Sequence, residues 1–465
     1  MFETVQLSSK DTMSTDSTDS PATNNIHDPT IFQINGLLKI KLSQFKYFTF
    51  TVIGIALLWP WNCFLSASAY YGERFVNSPS LVKVYSSTMM SVSTITSTAY
   101  NFYLSQRQTN VNYNFRVQAG FCITIFVFLF MAVSCVSDWI IDMNDSAFFT
   151  TLMFMVLLSA MATCLAQNGT MAIVNVLGGI YANAVMVGQA VAGVLPACAL
   201  IISILLVGDK VSDQHHRVEK NYGVFVYYIT ASLVCIISLL LLYLVTYHKN
   251  EVGYQRLNQL VEEDDSGAVD EQEVVDPIHT QKKFVPFTVL WGKLNLIVMT
   301  IFFTFGITLI FPVFASVVES VHTDSQSRFL NKNIYIPFIY LVWNLGDLLG
   351  RVLCGYPRLN MLIKSPKTQL VYALSRLVFI PLFLTCNIHP GQSEPFIKSD
   401  LWYIGLQLLF GISNGQLCTS AFMIVGDYCD TDDEKEAAGG FTTVFLSTGL
   451  AVGSVLSYLL VLVVN

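Results

Sequence analysis

The chain has 465 residues, of which 53% are hydrophobic and only 12% charged, with mean hydropathy +0.54 and formal net charge −7. Soluble domains carry about 25% charged residues, so this composition excludes an ordinary soluble domain and points to an integral membrane protein. The acidic balance comes largely from two stretches, Glu262–Asp276 and Asp427–Glu436, and no nucleic-acid partner is expected.

Residues 1–46 are polar, with a Ser/Thr/Asp run from Ser14 to Ser20 and no early apolar stretch. They predict a disordered cytoplasmic tail without a cleavable leader. Eleven apolar segments long enough for about 30 Å of hydrocarbon follow. They are 47–69, 82–104, 117–137, 148–172, 180–207, 223–247, 293–318, 334–356, 368–387, 401–426 and 439–463. Two are diluted by polar groups: 82–104 by Ser and Thr, 180–207 by Asn183 and Gln189. A hydrophilic, acidic stretch at 248–286 separates six segments from five. The expected architecture is therefore an all-α membrane protein of eleven transmembrane helices. A six-helix bundle (47–247) and a five-helix bundle (287–465) are joined by a flexible cytoplasmic linker, as in two-bundle secondary transporters.

Lysines and arginines beside the segments favour the face of the N-tail and linker by fourteen to eight. This predicts a cytoplasmic N-terminus and an extracellular or lumenal C-terminus, in the plasma membrane or that of a vacuole or lysosome. All ten cysteines lie in or at the ends of apolar segments, without a CxxC, so neither a disulfide framework nor a metal site is expected. No GxxxxGK[ST] motif is present. The spans contain no paired carboxylates or His/Asp/Glu cluster, which argues against an ATP-driven machine, an embedded enzyme and any cofactor. The sequon at Asn144 falls in an outer loop and is a candidate for glycosylation; that at Asn168 falls inside a span.

The first segment reads Leu57-Leu58-Trp59-Pro60-Trp61-Asn62. Pro60 bends a helix and frees a carbonyl, which is tolerated where neighbours re-satisfy the backbone. Trp61 beside Asn62 offers a flat apolar face and an amide, suited to a heterocycle, although an interfacial tryptophan with a structural kink explains the same residues. The fourth segment carries Gln167-Asn168, amides that either tie helices together or face a cavity. The fifth has Gly188 and Gly193, small residues read as helix packing. In the eighth, Asn344, Asp347 and Arg351 fall on one stripe by 3- and 4-residue spacing. Charge inside a span costs about 2.5–3.5 kcal/mol per group on insertion scales, so the pair marks either a binding site or a staple between helices. Arg376 in the ninth segment reads as structural, a partner for Asp427 or helix-terminal carbonyls.

Taken in order, these motifs resemble the equilibrative nucleoside transporter family. The matching stretches are Leu58 to Phe64 with Ser66 to Tyr71, Gly188 to Gly193, Asp347 to Arg351, Ala373 to Pro381 and Ser413-Asn414-Gly415. The final span also fits, with Glu436 to Gly439 and Gly449 to Gly453. The resemblance implies a major-facilitator-like fold and alternating access for nucleosides such as adenosine and uridine, sometimes nucleobases, with no obligate protein partner. It implies that Trp61 walls the base with Leu58, Asn62 and Leu65 beside it, and that Gln167 bonds the base edge. Asp347 and Arg351 would hold the ribose hydroxyls with support from Asn344, and Leu450 would line the cavity. Two departures stand out: Trp59, where leucine is usual, which narrows the expected cavity, and Thr163, at a position that varies with inhibitor sensitivity. Competing readings are a proton-coupled nucleoside carrier and a carrier of another small polar solute.

Overall fold

Backbone N–H and C=O groups find no partner in hydrocarbon, so an apolar chain of this kind must satisfy them within helices. A computed structural model shows that it does. The structure describes residues 30–34, 38–109, 111–207, 220–264, 283–322, 332–388 and 394–464.

The chain divides into a small N-terminal unit, ending at Gln44, and a helical body from Phe45 onward. In the first, β1 (Thr30–Ile34) pairs antiparallel with β2 (Leu38–Lys41), inside the tail expected to lack structure. The body's first half comprises α1 (Leu42–Ser66), α2 (Ser68–Arg74), α3 (Pro79–Gln106), α4 (Tyr113–Ser134), α5 (Asp138–Ile141), α6 (Asp145–Leu177), α7 (Gly179–Val207) and α8 (Tyr222–Asp264). After the linker come α9 (Phe287–Thr308), α10 (Ile310–Val317), α11 (Lys332–Cys354), α12 (Pro366–Ser375), α13 (Phe379–Phe383), α14 (Asp400–Ile424) and α15 (Asp432–Val464). Helix α8 runs well past the expected segment end at 247; residues 265–282 of the expected linker lie outside the described residues.

Nine helices among the described residues are long and apolar enough to cross a membrane. The two remaining expected segments are helical but differ in kind. Segment 82–104 is α3, in which hydroxyls replace apolar carbons. Several of them bond back one turn, Thr88 to the Val84 carbonyl and Ser91 to that of Ser87, which is how a hydroxyl-rich helix satisfies itself away from water. Segment 368–387 is broken: α12 passes into a tighter 3₁₀ turn at Arg376–Val378 and then the five-residue α13.

Packing separates the two ends of the body. One core draws on both halves: Phe50, Val117, Val174, Val185, Met186 and Leu242 from before the linker, and Leu290, Ile297, Phe422 and Phe441 from after it. This is the linker end, where α8 leaves and α9 begins. Farther along the same helices the cores part. Trp59, Phe64, Phe128, Phe148 and Tyr228 form one made only of the first half. Ile307, Phe314, Tyr335, Phe383 and Phe410 form one made only of the second.

Candidate functional site

Helix α11 passes through the contact between the halves, with α7 on one side and α14 on the other. Glycines allow these approaches. A Cβ on Gly415 of α14 would strike the Asp347 carbonyl, and one on Gly188 would strike that of Thr51 in α1. Gly193 lies against Asn344, whose Oδ1 would sit 2.6 Å from an added Cβ. Gly188 and Gly193 thus lie at close helix approaches, and Gly193 leaves room for a polar side chain of the opposite half.

Asn344, Asp347 and Arg351 share the expected stripe. Asp347 and Arg351 are buried, at 3% and 6% exposure, with Arg351 Nε 2.8 Å from Asp347 Oδ2. Nε nonetheless has no aligned hydrogen-bond acceptor, so attraction of charge rather than a directed bond holds that contact. The other groups are directed. Arg351 Nη1 donates to the Met186 carbonyl of α7 at 2.8 Å, and Asn414 Nδ2 donates to Asp347 Oδ1 at 2.6 Å. Arg351 therefore does not snorkel out of the membrane; it bridges the two halves. One turn away its backbone carbonyl accepts from Asn183 Nδ2 of α7 at 2.8 Å, and Asn183 Oδ1 accepts from the Tyr47 hydroxyl at 2.9 Å.

Asn344 donates to the Tyr340 carbonyl at 2.8 Å, leaving its Oδ1 as an acceptor at the halves' boundary. Across α7, Asn62 donates to the Ala192 carbonyl at 2.7 Å, so its amide serves partly to tie α1 to α7. Leu58 and Trp61 are half-buried at the edge of the first-half core; Leu65 is exposed. Trp59, the departure from the usual leucine, is tied to α8. Its indole N–H donates to Thr230 of α8 at 2.9 Å, and the ring is buried inside the first half.

The two amides of the fourth segment differ in surroundings, since neighbours on a helix project about 100° apart. Asn168 is buried and accepts from Arg116 of α4. Gln167 is half-buried and, among the described residues, its amide has no hydrogen-bond partner. Leu450 packs on the edge of the shared core. Asn144 is exposed at the start of α6, where its Oδ1 caps the Ser146 N–H.

Of the two partners weighed for Arg376, Asp427 and carbonyls near a helix end, it meets the second, near the end of α9. It does not pair with Asp427: it is 1% exposed and donates to the Thr304 carbonyl at 3.0 Å and to Ser413 Oγ at 3.1 Å, with its guanidinium 4.5 Å from the Phe410 ring centre. The 3₁₀ turn carries it into the bundle. Residues missed at the sequence level are Met186, whose contribution is a backbone carbonyl and so leaves no signal, and Asn183, visible only as a polar interruption of its span. Thr308 and the roles of the Ser413-Asn414-Gly415 motif were missed as well.

A family model described as nucleoside transporter matches residues 152–462. The chain belongs to the nucleoside transporter family. Among relatives, nucleoside transporter FUN26 of Saccharomyces cerevisiae is 37% identical over 92% of this chain and 86% of its own length. Equilibrative nucleoside transporter 1 of Rattus norvegicus is 26% identical over 88% of this chain and 95% of its own. The fold is similar to that of solved transporters of the major facilitator type. The proton:xylose symporter XylE aligns with TM-score 0.56 at 10% identity, covering 90% of this chain and 88% of that one. The transporter FucP aligns with TM-score 0.53 at 10% identity, covering 89% and 91%. Within the family match fall Gln167, the stripe from Asn344 to Arg351, Arg376 and Leu450, while Trp61 and Asn62 lie before it.

Proposed function

We propose that this member of the nucleoside transporter family moves nucleosides down their gradient by alternating access, without a cofactor. The observation that carries this reading is the buried Asp347–Arg351 pair at the boundary of the halves, joined by Arg351 Nη1 to the opposite half. A nucleoside presents a flat base and vicinal hydroxyls. Carboxylate and guanidinium together accept from and donate to such hydroxyls, and the free Asn344 Oδ1 adds an acceptor. The half-buried Trp61 and Leu58 supply an apolar wall for the base, and the unpartnered Gln167 amide a donor and acceptor for its edge. Asn62, Leu65 and Leu450 complete the lining. Because Arg351 touches substrate and opposite half alike, binding is coupled to opening of the linker end. The linker end faces the cytoplasm in this reading, as the placement of lysine and arginine favours.

The test is uptake of radiolabelled adenosine and uridine into proteoliposomes, with and without an imposed pH gradient, and with unlabelled sugars and amino acids as competitors. Uptake that equilibrates, ignores the gradient and is displaced by nucleosides alone is expected. Accumulation that follows the gradient would make the protein a proton-coupled carrier, and displacement by sugars or amino acids would overturn the substrate class.

A further inference from the structure

Ser413-Asn414-Gly415 on α14 has no part in the binding roles above, yet two of its residues meet Asp347 and the third meets Arg376. Gly415 admits the Asp347 backbone, Asn414 donates to the carboxylate, and Ser413 accepts from Arg376. Arg376 is a fully buried cation in the second half and, among the described residues, has no carboxylate within ion-pair distance. A lone buried charge is costly unless something compensates it. The polar groups around it lead in one direction. Arg376 Nη1 and Nη2 lie 3.5 Å and 3.4 Å from Thr308 Oγ1, long for hydrogen bonds, so charge–dipole attraction dominates there. Thr308 Oγ1 donates to Asn414 Oδ1, and Asn414 Nδ2 donates to Asp347 Oδ1.

The sense of this chain is fixed at both ends. A guanidinium has only donors and a carboxylate only acceptors. Asn414 must therefore turn its NH₂ to Asp347 and its oxygen to Thr308. Thr308 Oγ1 also lies 2.6 Å from the Thr304 carbonyl of its own helix, which already accepts from Arg376, so its one proton is shared between that carbonyl and Asn414 while its lone pairs face Arg376. Such chains polarise in one direction and strengthen along their length.

We propose that Arg376 is a positioning residue for nucleoside binding, acting through Thr308 and Asn414 to fix the carboxylate of Asp347. The proposal rests on Asp347 and Arg351 being the groups that hold the ribose hydroxyls. Arg376 touches no substrate. It orients Oδ1, so that Oδ2 is shared between Arg351 and a ribose hydroxyl.

The experiment compares KM for uridine and for dideoxyuridine, which lacks the ribose-ring hydroxyls, in proteoliposomes of the full chain. Thr308→Val keeps the shape and removes the hydroxyl; Thr308→Ser keeps the hydroxyl. The valine variant is expected to raise KM for uridine about tenfold, the worth of roughly one directed hydrogen bond to a charged group, and to leave dideoxyuridine unchanged. Serine restores uridine. An equal change for both substrates, or no change for either, would overturn the proposal in favour of helix packing alone. Wild-type protein indifferent to the ribose hydroxyls would instead remove the binding reading on which it rests, a result visible before any variant is made. Should the valine variant misfold, Arg376→Lys is measured against the same ratio: it keeps the charge but loses the fork that reaches Ser413 and Thr308 together, so uridine alone should suffer. A lysine variant with the wild-type ratio would count against the proposal.

Discussion

The two ends of the helical body are built from the same helices in different ways. Helix α1 puts Phe50 to Leu57 into a core shared by both halves, and Trp59 to Phe64 into one made of the first half alone. Helix α14 does the same in reverse order, with Tyr403 to Phe410 in the second-half core and Cys418 to Ile424 in the shared one. Hydrogen bonds follow the cores. Among the described residues, those crossing between halves run from the linker end to mid-depth: Asn183 to Arg351, Arg351 to Met186, Cys418 to Met186, Asn175 to Lys435, Val285 to Gln108 and Thr98 to Ser447. At the opposite end the bonds stay within a half, as between Arg74 and Asp145 or Tyr403 and Phe314. This is a body closed at its linker end. Alternating access requires that closure to be given up and a similar one formed at the other end, so the groups that bridge the halves should govern transport, while those within a half should govern only stability.

The largest effect on transport is expected at Arg351, which belongs to the site and to the closure together. Arg351→Ala leaves Asp347 buried and unpaired, a loss of about 3–5 kcal/mol, and uptake should fall at least about 100-fold. The double replacement Asp347→Asn with Arg351→Gln removes both charges and should recover much of the melting temperature but none of the transport. Recovery of uptake by the double variant would reduce the pair to a staple.

Asn183 comes next, because it bridges without being part of the binding stripe. Asn183→Ala removes the bond to the Arg351 carbonyl and the acceptor for Tyr47, a loss of about 1–3 kcal/mol charged to the closed state alone. Native cysteines report the outcome. Cys354 and Cys418 are buried at the linker end, Cys63 and Cys135 in the first-half core. Alkylation of the first pair should accelerate about tenfold or more, with the second pair unchanged. Equal acceleration of all four would mean general loosening and sink the two-end picture.

Arg74 provides the counterpart. It donates to Asp145 at 2.7 Å and to the Met143 carbonyl at 2.6 Å, with Phe148 under its guanidinium at 4.8 Å. Arg74→Met should lower stability by about 1.5–3 kcal/mol and leave KM and the cysteine pattern as they were. A shift in the alkylation of Cys354 would show that a bond within one half also sets the balance between states.

The legibility of this molecule in its sequence follows the same division. Long apolar runs announce helices because hydrocarbon leaves the backbone no other partner, and spacing placed Asn344, Asp347 and Arg351 on one stripe. What stayed hidden depends on which helix lies opposite. Nothing in Leu57-Leu58-Trp59-Pro60 says that Trp59 turns to Thr230 while Trp61 stays half-buried at the core's edge. Arg376 looked close to a helix end because the 3₁₀ turn that carries it inward has no simple signature in Ser375-Arg376-Leu377. The Met186 carbonyl, the partner that makes Arg351 a bridge, belongs to the backbone, and any residue at that position would supply it.

The smallest effect is expected at Lys293, although it sits at the linker end and makes the most conspicuous ionic cluster there. Its Nζ lies 2.6 Å from Asp430 Oδ2 and 2.6 Å from Glu434 Oε2, but all three residues belong to the second half, and Asp430 is largely exposed. Exposed ion pairs add little because water competes for both partners and salt screens what remains. Lys293→Ala should therefore leave uptake, the alkylation rates of Cys354 and Cys418 and the melting temperature close to wild type, with any difference vanishing in high salt. A transport defect in this variant that persists in high salt would mean that position at the linker end, rather than membership of a bond between halves, is what matters, and the prediction for Asn183 would lose its physical basis with it.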